Sequence, residues 1–84
     1  MEETNPALGK QMIQVVRNQM RANDPPQTKQ TYERLLSEGH SEEQVMQMLA
    51  CVVTAEVFYV MKEKEPFNET RYVKMLDALP KLPE

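Results

Sequence analysis

The segment from Ser41 to Lys64 constrains the fold more than any other part of the chain, because it is apolar on nearly every side of a helix. At about 100° per residue, Val45, Met48, Leu49, Val52, Ala55, Tyr59 and Val60 form one broad face. Met46, Ala50, Cys51, Val57, Phe58 and Met61 lie on the opposite side. A helix with that pattern must be covered on most sides. It is the expected hub of the molecule, and the rest of the chain must supply its cover.

The punctuation of the remaining sequence predicts three shorter helices. Asn5 followed by Pro6 is a favoured helix start, and Leu8, Met12, Val15, Val16 and Met20 recur at helical spacing, so a first helix is expected over about 6–21. Asn23-Asp24-Pro25-Pro26 stops it and opens a second, over about 26–38, with Asp24 as the expected cap and a stripe of Thr28, Tyr32, Leu35 and Leu36. Gly39 supplies the left-handed residue that ends many helices. Ser41 with Gln44 reads as a capping box, and Glu42 and Glu43 suit the first turn of a helix dipole, so the hub runs over about 42–64 until Glu65-Pro66. Asn68 then caps a last helix, about 69–79, with Tyr72, Val73, Leu76 and Leu79 on one side and Pro80 at its end. The fold class is all-α: one domain over 1–84, a four-helix, bundle-like arrangement with the third and longest helix central.

Charge and composition exclude several function classes. The formal net charge is −3 and the basic residues are scattered, so nucleic acid is not an expected partner. Lys10, Arg17 and Arg21 make the densest basic group, and a solvated helix face accounts for them. The polar, acidic start lacks a signal peptide's basic and apolar regions. The longest apolar run, Ala50 to Met61, is shorter than a bilayer requires. Cys51 is the single cysteine, which rules out an internal disulfide and fits a reducing, cytoplasmic compartment. Inside an apolar run it reads as a small, at least half-buried hydrophobe.

No catalytic motif is visible. His40 is the only histidine, it sits in a turn, and neither an orienting acid nor an oxyanion motif accompanies it with Ser37 or Ser41. There is no phosphate loop, dinucleotide fingerprint or paired-cysteine metal knuckle. The expectation is a non-enzymatic chain with no cofactor and no metal, the weakest-excluded metal ligands being Glu43 and Glu56. Glu56 is the residue that breaks the pattern, since it falls at the centre of the hub's apolar face. A carboxylate there must be paired, hydrogen-bonded or neutral. A structural network with a tyrosine, with Gln19 on the first helix, or with a basic side chain is the favoured reading, and such a network would tolerate Glu56→Gln. Gln19 and Glu56 are thus the expected buried polar pair.

From Asn5 to Glu56 the chain resembles a family of small bacterial helical domains of unknown function. The resemblance rests on Asn5-Pro6-Ala7, Asn18-Gln19, Asp24-Pro25-Pro26, Thr31, Arg34-Leu35, Glu38-Gly39-His40 and Val52. It implies a shared helical fold. It also implies a metal or acid–base site of histidines between the first and third helices, whose counterparts here are Gly9, Ile13, Glu43, Gln47 and Glu56. None is histidine, so the resemblance implies a site that has been lost. The functional expectation is a domain acting through protein contacts, a homodimer among them, by way of Met46, Val57, Phe58 and Met61. The rival is a metal- or small-molecule-binding protein with a residual carboxylate site around Glu56.

Overall fold

The helix boundaries follow from the backbone groups that each end leaves unpaired. A computed structural model describes residues 6–83, with side chains from Gly9 onward, as four helices: α1 Pro6–Ala22, α2 Pro26–Ser37, α3 Glu42–Glu63 and α4 Glu69–Ala78. No strand occurs among the described residues. Asn5, the expected first cap, and the Leu8 side chain lie outside them.

Two of the helices stop in the same way. At the end of α1, Asn23 takes a left-handed φ of 54°, its N–H donates to the Met20 carbonyl, and the Asp24 N–H donates to Gln19. At the end of α2, Gly39 takes φ 101°, and the N–H groups of Gly39 and His40 reach back to Leu36 and Leu35. Both are the paired bonds of a Schellman end. Asp24 does not cap α2 as expected. Pro25 holds the N-cap position with no side-chain bond, and Pro26 at the first helical position has no N–H to be satisfied.

Helix α3 packs against all three of the others. Its Val45, Met46, Leu49, Val52 and Val53 join Val16, Leu35, Tyr72, Leu76 and Leu79 in one core. The stripe on α1 is rotated from the expected one: Val16 is fully buried while Val15 is 36% exposed. Helices α1 and α4 make no close backbone approach, so any tie between them must run through long side chains.

The 22 residues of α3 are apolar enough, by length and composition, to cross a membrane. That corrects the expectation drawn from Ala50–Met61 alone, because the apolar pattern continues toward the N-terminus through Val45, Met46, Met48 and Leu49. The core helix of a globule meets the same test, and α3 carries six buried side chains, the Glu56 carboxylate among them.

Candidate functional site

Glu56 is 3% exposed, and its carboxylate is fully engaged. The Arg71 guanidinium lies side-on to it, with Nε donating to Oε1 at 2.8 Å and Nη2 to Oε2 at 2.9 Å. The backbone N–H of Asn68 adds a third bond to Oε2 at 2.9 Å. The Arg71 bonds hold the carboxyl below its usual pKa; burial pushes the other way and loses. The Arg71 guanidinium also sits 4.9 Å from the centre of the Tyr59 ring, a cation–π distance.

The local geometry explains why this pair exists. Asn68 is the N-cap of α4, and its Oδ1 accepts from the Arg71 N–H at 2.9 Å. In a capping box the residue at that third position would return the favour, its side chain accepting from the cap's N–H. Here the third position is arginine, which cannot accept. Glu56 accepts in its place, from another helix, and Arg71 holds it there. The buried charge thereby lies at the positive end of the α4 dipole.

The far end of α4 is also served from outside. The helix has no basic residue in its last turn. Arg34 of α2 donates from Nη2 to the carbonyls of Leu76, at 3.3 Å, and Leu79, at 3.0 Å. A second network completes the docking: Gln19 Oε1 on α1 accepts from the Thr28 hydroxyl of α2 and the Tyr72 hydroxyl of α4, each at 2.9 Å. Burial raises the Tyr72 phenol above its usual pKa, although the bond to Gln19 works against it.

Gln19 and Glu56 are therefore both at polar networks, but of the expected buried pair only Glu56 is buried and Gln19 is half-buried, and they do not bond to one another; Tyr72 and Arg71 take the roles that each was expected to offer the other. The geometry argues against the expected tolerance of Glu56→Gln, since three N–H donors converge on the two oxygens and an amide would put a donor of its own in place of one of them. Glu43 is exposed in the first turn of α3. It stands 13 residues from Glu56 on one helix, about 20 Å along the axis, so the two carboxylates cannot share an ion. No group of three or more metal-ligating side chains forms among the described residues. Arg71 goes unmentioned in the sequence analysis, and Arg34 enters there only through the resemblance, with no part in holding α4. Arg71 carried a signal: a cation in the first turn of a helix opposes the dipole and needs a carboxylate to account for it.

The expected interaction face divides. Met46 is 5% exposed and belongs to the core, and Ile13 and Arg17 of α1 line a groove together with it. Val57, Phe58 and Met61, further along α3, are 41%, 58% and 72% exposed. Phe67 and the C-terminal tail do not cover them. Phe67 tilts against Tyr72 at 5.2 Å, and Leu82 and Pro83 lie along grooves beside Cys51 and Met75 instead. Cys51 is exposed, not half-buried as expected, although partial burial still pushes its thiol pKa up. Comparison of the chain with family models, with curated proteins and with solved structures finds no match.

Proposed function

We propose that this chain is a non-catalytic helical domain that works through protein contacts, self-association among them, made by the C-terminal half of α3. The observation that carries this reading is the exposure of Val57, Phe58 and Met61 on one stretch of helix. Large exposed apolar side chains scattered singly need no explanation, but three grouped on one turn or two of a helix mark an interaction surface. A two-fold contact would bury the same group on both copies. The small core of a chain this length gains stability from such burial.

A soluble, cytoplasmic setting accompanies the reading. The single cysteine supports it, as does the engaged carboxylate in the middle of the most apolar helix. The bacterial family that the first two-thirds of the chain resembles is part of the same proposal. The rival, a metal site built on residual carboxylates, draws no support from Glu56, whose oxygens are already taken.

Light scattering across a concentration series tests the proposal. The expected outcome is a mass that rises toward that of a dimer at micromolar concentrations, and a Phe58→Glu variant that stays monomeric with its melting temperature unchanged at low concentration. A wild-type monomer at high micromolar concentration, matched by Phe58→Glu in mass and stability, would exclude it.

A further inference from the structure

We propose that the trough between the end of α3, α4 and the C-terminal tail binds a small organic anion, a phosphate or carboxylate group attached to a compact apolar body. The trough is an open groove of about 500 Å³, in volume within the range of small-ligand sites, about 300–1,000 Å³. Its walls carry Arg71, Lys74 and Lys81, and no acidic side chain lines it among the described residues, Glu65 standing outside the lining at 3.8 Å from Arg71 Nη1. That concentration of cations stands out on a chain whose net charge is −3.

Arg71 is prepared for such a ligand. Glu56 occupies Nε and Nη2 and fixes the guanidinium plane, and Tyr59 packs against that plane. Its remaining nitrogen, Nη1, makes one long contact among the described residues, to Glu65 at 3.8 Å, beyond hydrogen-bond distance. The Nη1 N–H donors make no hydrogen bond among the described residues and the guanidinium is already oriented, so little side-chain entropy is lost when an anion replaces the long ion pair with Glu65. Glu56 balances the Arg71 charge, so Arg71 contributes directed hydrogen bonds. The charge that attracts an anion comes from Lys74 and Lys81. Lys74 lies three residues along α4 from Arg71, on the same face of the helix, and Lys81 enters from the tail. Met75 and Leu82 complete the lining with apolar surface, which a bare inorganic ion would leave uncovered.

Phenyl phosphate is the probe, with benzyl alcohol as its uncharged counterpart, followed by NMR on the full-length chain. Saturable shifts at the Arg71 Nε–H and the backbone of Lys74 and Lys81 are expected with phenyl phosphate and not with benzyl alcohol. Lys74 and Lys81 are exposed, so Lys74→Gln combined with Lys81→Gln leaves the fold intact and should weaken binding by about tenfold. Three results overturn the proposal: no saturable shift, equal shifts from benzyl alcohol, or binding that the double variant leaves unchanged. An acidic peptide that shifts these resonances when phenyl phosphate does not would also overturn it, and would assign the trough to a protein partner.

Discussion

Helices α3 and α4 begin with the same hydrogen-bond circuit, closed in two different ways. At the start of α3, Ser41 Oγ accepts from the Gln44 N–H at 3.1 Å and Gln44 Oε1 accepts from the Ser41 N–H at 3.0 Å. Four consecutive residues contain the whole device. At the start of α4, Asn68 Oδ1 accepts from the Arg71 N–H, and the return bond comes from Glu56, twelve residues upstream on another helix. A local cap forms whenever its own turn forms. A tertiary cap exists only when the two helices are docked, so it couples the existence of α4 to its packing. The difference suits the lengths involved, 22 residues in α3 against 10 in α4, because helices shorter than about 12–15 residues are marginal on their own.

The largest effect should come from removing the tertiary cap. Glu56→Ala leaves Arg71 and the Asn68 N–H without their acceptor and opens a small cavity, a cost of about 2–4 kcal/mol. Against a total stability of about 4–13 kcal/mol for a chain this long, α4 should loosen first. Urea unfolding measures the loss, and hydrogen exchange should place it in residues 69–78. A change under about 0.5 kcal/mol would mean that α4 stands without Glu56. Glu56→Gln should cost about 1–2 kcal/mol.

The same comparison has a pH dependence. The folded pKa of Glu56 is lowered, chiefly by the Arg71 hydrogen bonds, so its stabilisation is complete above the unfolded carboxyl value of about 4.3 and lost as pH falls through the folded value. The stability gap between wild type and Glu56→Gln should hold steady from neutral pH to about 5, then close below about 4. A gap that closed near neutrality would show a carboxyl held neutral by burial.

The other end of α4 comes next. Arg34→Met removes two carbonyl contacts and a partly exposed pair with Glu38 at 3.1 Å, for about 1–2 kcal/mol. Thermal melts that place Arg34→Met at wild-type stability would leave α4 anchored by Glu56 of α3 and Gln19 of α1. Smallest is the local cap: Ser41→Ala should cost about 1 kcal/mol and fray only the first turn of α3. Should Ser41→Ala prove more damaging than Glu56→Ala, the ranking of tertiary over local capping would be reversed.

Legibility in the sequence follows the same division. Most helix ends were readable because Gly39, Ser41 with Gln44, Asn68 and the prolines act within a turn of themselves. Asp24 misled, because Pro25 and Pro26 had already altered what needed capping. Glu56 was recognisable as anomalous from the wheel alone, but its partner was not. A carboxylate on the apolar face states a debt that several side chains could settle, and only the crossing of α3 with α4 selects Arg71 over Gln19. Met46 and Val57 show the limit on faces: both lie opposite the main stripe of α3, and the wheel treats them alike. Met46 is buried in the core that the four helices share, whereas Val57 is 41% exposed.

By itself, then, the sequence determined four helices, their boundaries, the central place of α3 and the presence of a charge that had to be answered. Those features depend on residues within a few positions of one another, whose geometry the backbone supplies. Which cation answers Glu56, which carbonyls Arg34 caps, and which half of the second α3 face stays open were decided by the tertiary structure. Each depends on where helices distant in sequence cross, and that is fixed by the packing of all four together.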